Sequence, residues 1–200
     1  MKKILLIGAT GTVGTAVARE LERDHQVIRV GKSRGDHQVD VTRDDSVERL
    51  FAEVGRVDAI VSTIGQLFFG PVTQTSAAQF AIGLQDKLLG QVRLALVGQH
   101  HLNDGGSITL TSGIVSEEII HQGANATAVN AALEGFARAA ATELARGQRI
   151  NVVSPSVLQE SWAGFAPFFP GFEAVPASRV ALAYRRSVEG PQTGRTFKVW

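Results

Sequence analysis

The sequence predicts an α/β fold with one doubly wound parallel sheet and helices on both faces. Short runs rich in Ile and Val alternate with longer segments whose apolar residues repeat at helical spacing. This strand-helix alternation gives a parallel sheet with right-handed crossovers. The chain of 200 residues is long enough to bury one core and too short for two independent domains. We therefore expect one domain over residues 1–200.

Six runs of apolar residues mark the expected strands. None of them alternates strictly between apolar and polar residues, which is typical of strands buried on both faces. The predicted strands are Ile4 to Ile7, Gln26 to Val30, Ala59 to Ser62, Ser107 to Leu110, Ile150 to Val153 and Thr196 to Val199.

Amphipathic stretches between these strands predict the helices. Thr42, with Asp45 three residues later, is typical of an N-cap and places the start of the second helix there. A long helix is expected from about Gln79 to Leu102. The other apolar faces are formed by Val13, Ala16, Val17 and Leu21, by Val47, Leu50, Phe51 and Val54, and by Val129, Leu133, Phe136, Ala140 and Leu144.

Residues 161–176 interrupt the alternation. They contain Trp162 and four phenylalanines among three prolines. Proline disfavours a regular helix or a central strand, so the aromatic side chains are expected on an irregular loop. Such a loop either packs over the edge of the core or against a partner subunit, or it forms an apolar lid over a binding crevice.

Composition excludes several functions. The net charge is +1 and the basic residues are scattered, which argues against a nucleic-acid surface. Without cysteine the chain has no disulfide, thiolate nucleophile or cysteine-bound metal, and a cytoplasmic location fits best. No apolar stretch approaches the roughly 20 residues that cross a bilayer. The N-terminal apolar run stops at Gly8, which favours a buried strand over a signal peptide.

A glycine-rich turn follows the first predicted strand and opens the first helix. It reads Gly8-Ala9-Thr10-Gly11-Thr12-Val13-Gly14, with three glycines at every third position. Glycines at a strand-to-helix turn let the backbone approach a pyrophosphate, whose charge then lies at the helix N-terminus. The turn therefore predicts a Rossmann-type dinucleotide site.

The end of the second strand indicates which dinucleotide is bound. A carboxylate there would bind the ribose 2′-hydroxyl of NAD, whereas a 2′-phosphate needs basic and hydroxyl donors. The sequence has Lys32, Ser33 and Arg34, and no carboxylate before Asp36. These three residues predict NADP(H), although an exposed basic turn without a ligand is the alternative.

The chain resembles the short-chain dehydrogenase/reductase family nearly end to end. The resemblance adds residues to the cofactor site beyond the two turns already described. It rests on the glycine turn and on Asp40-Val41-Thr42, Ser62-Thr63-Ile64-Gly65, Gly106 to Ser112, Ala131 to Phe136, Arg149 to Ser156 and Thr193-Gly194. The cofactor-binding residues expected in all are Gly8, Thr10, Gly11, Thr12, Val13, Gly14, Lys32, Ser33, Arg34, Asp40, Val41, Ser62, Thr63, Gly65, Pro155 and Val157.

The resemblance implies hydride transfer between a nicotinamide and a carbonyl or alcohol carbon, with a tyrosine that exchanges the proton. The family's serine is present as Ser112. Its tyrosine, lysine and asparagine positions fall on Ala126, Asn130 and Lys87. No tyrosine or lysine occurs between Gly113 and Ile150, so the usual proton donor is absent.

Two other side chains are candidates for the acid. Lys87 qualifies if burial beside the cofactor lowers its pKa; alternatively it holds ribose hydroxyls, or it is a solvated helix lysine. His121 lies in the loop before the active-site helix and is the second candidate, although loop histidines are more often only solvated. The candidate catalytic residues are thus Ser112, Lys87 and His121. No metal site is expected, because the adjacent His100 and His101 point in different directions on a helix.

The sequence predicts an NADP(H)-dependent oxidoreductase that acts on a small carbonyl or alcohol with an atypical proton donor. A non-catalytic NADP(H)-binding sensor or assembly protein is the alternative, and different chemistry in the same crevice stays open because fold alone does not decide function. The two long helices that begin near Gln79 and Ala124 carry spare apolar surface. By resemblance they pair across a two-fold axis, which predicts a homodimer or homotetramer.

Overall fold

A computed structural model describes residues 1–200. Seven parallel strands form one sheet in the order β3-β2-β1-β4-β5-β6-β7. The predicted doubly wound parallel sheet is confirmed. The strands are β1 (Lys3–Ile7), β2 (Gln26–Gly31), β3 (His37–Gln38), β4 (Val57–Ser62), β5 (Leu102–Thr111), β6 (Arg149–Pro155) and β7 (Thr196–Val199).

Helices cover both faces of the sheet. Helices α1 and α7 pack together on one face, and α2, α4 and α5 lie on the other. The helices are α1 (Thr12–Leu21), α2 (Asp44–Val54), α3 (Ala77–Gly83), α4 (Gly90–Gly98), α5 (Ala124–Ala140), α6 (Trp162–Phe165) and α7 (Ala177–Glu189). None of them combines the length and apolar character that crossing a bilayer requires.

Alternating side chains of the central strands build two apolar layers. Leu5 and Ile60 point into the layer beneath α2, α4 and α5, whereas Ile4 and Val61 point into the layer beneath α1 and α7. All four are completely buried. Burial on both faces explains the runs of Ile and Val without polar alternation, since every second residue meets a different set of helices.

The long helix expected from Gln79 to Leu102 is divided. Helix α3 leads into a π-helical turn over Leu84–Leu89, and α4 follows directly. The helical stretch ends at Gly98, and Leu102 already belongs to β5. A π-turn changes the rotation of the side chains that follow it, so a uniform helical period does not describe this segment.

Two further local predictions were wrong. Arg43, not Thr42, is the N-cap residue of α2, and no side chain caps that helix. The Thr42 hydroxyl instead donates to Asp40 at 2.7 Å. Strand β3 was also missed, because a two-residue strand at the sheet edge has too few residues to show a period.

The proline-rich segment contains more helix than expected. It folds as a 3₁₀ turn at Gln159–Ser161, the four-residue α6, and a second 3₁₀ turn at Ala166–Phe168. Single turns of helix tolerate proline at their first positions, where an N–H would have no partner. The aromatic side chains therefore extend from short, closely joined turns.

Candidate active site

Two cavities open at the carboxyl ends of the strands. The sheet reverses its order between β1 and β4, which is where ligands bind in open parallel sheets. Segments that follow β1 and β4 line the first cavity, and the segment that follows β5 lines the second. Lys87 lines the second cavity while its stem packs against Gly65 of the first, so the two cavities are neighbours.

The glycine turn forms one end of the first cavity. Gly8 has φ of +85°, and its N–H donates to the Val30 carbonyl at 2.9 Å. A Cβ on Gly14 would lie 2.0 Å from the Gly8 carbonyl oxygen, so α1 approaches the turn as closely as the backbone allows. Gly11 precedes α1 and offers no capping side chain. The first N–H groups of α1 and its positive dipole end therefore suit an anion.

The predicted cofactor residues divide between the two cavities and the surrounding structure. Ser33 and Arg34 lie exposed in the turn after β2, whereas Ser62 is completely buried. Thr12, Val13 and Gly14 belong to α1. Pro155 and Val157 line the second cavity. The first cavity, of about 260 Å³, is lined by the predicted residues Gly8, Thr10, Gly11, Lys32, Asp40, Val41, Thr63 and Gly65.

The rim of the first cavity is basic where a 2′-phosphate would lie. Lys32 lines the cavity and is exposed. The nearest acidic residue along the chain, Asp36, accepts the backbone N–H of Arg29 at 2.8 Å. Asp40 accepts two hydrogen bonds from Thr42, which hold the pKa of its carboxyl below the usual value. The residues present thus fit a dinucleotide phosphate at this rim, and the carboxylates of Asp40 and Asp86 line other parts of the cavity.

The second cavity is smaller and mostly apolar. It has a volume of about 200 Å³. Phe69 packs edge-on against Phe165 with ring centroids 5.8 Å apart, so the segment before α3 meets the proline-rich segment over the opening. The charged or polar residues that line this cavity are Lys87, Ser112, Asn130, Ser156 and Ser161.

Lys87 is buried within the π-helical turn. Its side chain is 7% exposed, and Nζ donates to the Ser112 carbonyl at 3.0 Å. Gln91, one turn later, bonds the backbone of Thr111 through both ends of its amide, at 2.8 and 2.9 Å. Because these bonds tie the helix to the end of β5, they fix where Lys87 enters the cavity. Burial lowers the pKa of the Lys87 ammonium to about 8.

This lowered pKa predicts a pH-dependent stability. Between about pH 8 and pH 10.5, Lys87 is protonated in the unfolded chain and largely neutral in the folded one. The unfolded state then binds more protons, so the free energy of unfolding rises with pH in this window. Relative to Lys87→Met, we expect the wild type to gain at most roughly 1.4 kcal/mol per pH unit. Urea titrations of both proteins at pH 7, 8, 9 and 10 measure it, and parallel pH profiles would contradict it.

Ser112 lies at the end of β5 and is hydrogen-bonded to a buried carboxylate. Its hydroxyl donates to Glu134 Oε1 at 2.7 Å, and Ser116 donates to the same oxygen at 2.8 Å. Glu134 is 7% exposed and lies on α5 one turn after Asn130. Sequence reasoning missed Glu134 as a functional residue. The available signal was its spacing, since residues at i and i+4 share a helix face with the candidate site.

The remaining residues of interest lie in different surroundings. Asn130 is 1% exposed, and its Oδ1 has no hydrogen-bond partner. Ala126 is completely buried. His121 is exposed and is not among the residues that line the second cavity. Tyr184 is completely buried beneath the sheet, where it bonds Thr111 Oγ1 at 2.5 Å and burial raises its pKa. The only tyrosine of the chain is therefore not available to a ligand.

Comparisons with known proteins identify a family and several relatives of the same fold. Residues 8–189 match the family model described as enoyl-(acyl carrier protein) reductase. The crystal structure of the protein lin1944 from Listeria innocua is 49% identical and covers all of both chains, with a TM-score of 0.98. A small-chain dehydrogenase solved in complex with NADPH is 28% identical, with 98% of this chain and 95% of that chain covered and a TM-score of 0.88. An uncharacterized oxidoreductase of Methylorubrum extorquens is 25% identical over 178 residues, which are 77% of this chain and 72% of that protein.

Proposed function

Because the chain belongs to the short-chain dehydrogenase/reductase family, we propose that it is an NADP(H)-dependent oxidoreductase that interconverts a small carbonyl compound and its alcohol without a tyrosine acid. The observation that carries this proposal is the buried Lys87 in the apolar cavity beside Ser112, next to the glycine-turn cavity. The glycine turn and Lys32 suit the phosphates of the cofactor, and the buried Lys87 ammonium lies where a substrate would react. Together they favour a catalytic protein over one that only binds the cofactor.

The first cavity holds the cofactor in this proposal. The N-terminus of α1 binds the pyrophosphate, and Lys32, with Ser33 and Arg34 beside it, binds the 2′-phosphate. The NADPH carried by a structural relative supports the same preference. When bound, this cofactor supplies or accepts the hydride. The chain's own residues have to hold the substrate and manage the proton.

The second cavity holds the substrate. Its wall of Leu67, Phe69, Phe165 and Phe169 suits an apolar compound of small size. In the reductive direction, the Lys87 ammonium stabilises the negative charge that develops on the substrate oxygen and delivers the proton. A pKa near 8 leaves the ammonium populated at neutral pH and lets it release a proton readily. The proline-rich segment 161–176 acts as the lid.

Steady-state NADPH oxidation across a panel of aldehydes, ketones and quinones tests the proposal. We expect turnover with apolar carbonyl compounds of one or two rings and none with charged ones. No turnover with any member would refute it. The absent tyrosine and family lysine favour a non-catalytic NADP(H) sensor or assembly protein as the second candidate, for which NADPH-dependent binding of another macromolecule is the sign to look for.

Lys32 is expected to control the choice of cofactor. Its ammonium is exposed at the rim, so water screens part of its attraction for the phosphate. We expect Lys32→Ala to weaken NADPH binding about tenfold and to leave NADH binding unchanged, since a lost charge-assisted hydrogen bond is worth about that factor. Fluorescence titration with both cofactors measures this, and Lys198→Ala, a change of an exposed lysine on β7, is the matched control. Tighter binding of NADH than NADPH by the wild type would overturn the NADP(H) assignment.

We also expect the protein to lie in the cytoplasm, because its sequence contains no cysteine. There it is expected to form a homo-oligomer. Leu96 on α4 is 52% exposed, and an apolar hollow of about 320 Å³ lies between α4 and α5. Apolar surface of this kind supports a homodimer or homotetramer formed through these two helices. Light scattering at micromolar concentration should give a mass of two or four chains, and a monomer would contradict it.

A further inference from the structure

Glu134 determines which hydrogen bonds Ser112 can offer to a ligand. A serine hydroxyl has one proton and two lone pairs. The proton of Ser112 is donated to Glu134 Oε1 at 2.7 Å, a charge-assisted bond to a buried carboxylate. Ser112 therefore has no proton left for the cavity and presents only an acceptor there.

A second polar side chain, that of Asn130, lines the same cavity. Its Oδ1 is buried without a hydrogen-bond partner, and its amide nitrogen carries two protons that can be donated to a ligand. The charged donor of the cavity is Lys87. Its ammonium uses one of three protons on the Ser112 carbonyl and has two more to give.

From this juxtaposition we propose that Glu134 is a positioning residue that makes the site select the alcohol over the matching carbonyl compound. This inference rests on the proposed function. A hydroxyl group both accepts from Lys87 and donates to Ser112, so it satisfies the donor and the Ser112 acceptor together. A carbonyl oxygen only accepts, and it meets the lone pairs of Ser112 with no proton between them.

The same hydrogen bonds determine where the proton lies after reduction. The new hydroxyl carries the proton that Lys87 has delivered, and that hydroxyl then donates it in a hydrogen bond to Ser112. Ser112 itself neither gains nor loses a proton, because its own stays on the bond to Glu134. The site thus binds the alcohol more tightly than the matching carbonyl compound.

The preference for the alcohol can be measured in complexes that do not react, because an alcohol with NADPH has no hydride acceptor and a ketone with NADP⁺ has no hydride donor. 1-Tetralol is titrated into the NADPH-loaded protein and 1-tetralone into the NADP⁺-loaded protein by calorimetry, for the wild type and for Glu134→Met. Methionine has a similar volume but cannot hold the Ser112 proton. We expect Glu134→Met to weaken tetralol binding about fivefold and to tighten tetralone binding about fivefold, the size of one hydrogen bond. Glu134→Gln keeps an acceptor oxygen and should restore most of the wild-type preference.

Opposite changes in the two affinities distinguish a positioning role of Glu134 from damage to the fold, since a disturbed fold weakens the binding of both ligands. If both affinities fall together, or neither changes, the inference is wrong. Glu48→Gln, an exposed glutamate on α2, is the control and should change neither affinity. Should Glu134→Met not fold, Ser112→Ala decides instead, with tetralol weakened and tetralone not.

Failure of the inference can be told apart from failure of the proposed function. Absence of turnover, or of cofactor binding, refutes the proposed function. The same two ligands, titrated into the cofactor-free protein, still report whether Glu134 sets the preference.

Discussion

A Gly14→Ala variant should bind NADPH about 100-fold more weakly than the wild type. The added methyl group would lie 2.0 Å from the Gly8 carbonyl oxygen and 2.8 Å from Thr63 Oγ1. Neither the Gly8 backbone nor the buried end of β1 can yield without moving the turn. Helix α1 must therefore shift away, and its first N–H groups leave the position where they meet a pyrophosphate. Overpacking of this kind costs about 1–3 kcal/mol, and 1.4 kcal/mol is a factor of ten in affinity.

The control for this variant is another helical glycine. Gly135 on α5 has no atom within 4 Å of an added Cβ. Alanine is favoured over glycine in a helix by about 0.5–1 kcal/mol, so Gly135→Ala should stabilise the protein and leave NADPH binding unchanged. Thermal unfolding and NADPH fluorescence titration measure both variants. An unchanged NADPH affinity in Gly14→Ala would show that the turn does not bind the pyrophosphate.

Replacing Lys87 with methionine should lower kcat by roughly 10²–10⁴-fold, the range expected for loss of a general acid. Methionine fills the same apolar space across Gly65 and removes the charge. NADPH affinity should stay within about threefold of the wild type, because the glycine turn and Lys32 carry most of the phosphate binding. The protein should also be more stable at pH 7, since the ammonium no longer has to be desolvated.

Steady-state kinetics, NADPH titration and urea unfolding together check this prediction. His121→Gln is the matched control. The side chain is exposed and lies away from the residues that line the cavity, so we expect its kcat to be close to that of the wild type. If kcat fell strongly in His121→Gln and only slightly in Lys87→Met, His121 and not Lys87 would be the acid.

The positions of most strands and helices along the chain followed from local sequence pattern. Runs of Ile and Val such as Ile4 to Ile7 identify a buried parallel strand, because both faces of the strand meet apolar helices. The glycine turn is equally local, since its three glycines act within seven residues. The errors arose where the pattern is short or irregular, as in the two-residue β3, the π-helical turn and the cap of α2.

The sequence by itself determined the fold class, the cofactor turn and the loss of the tyrosine and lysine. The fold class and the cofactor turn are visible in residues that are neighbours along the chain. The loss is certain because no tyrosine or lysine occurs anywhere between Gly113 and Ile150. The tertiary structure alone decided that Lys87 is buried against Ser112 and that Glu134 holds the Ser112 proton. It also decided that Tyr184 lies in the core beside Thr111. The partners in these contacts are 25, 22 and 73 residues apart. Burial and hydrogen bonding depend on which elements meet in space, and the periodicity of neighbouring residues does not show which distant elements these are.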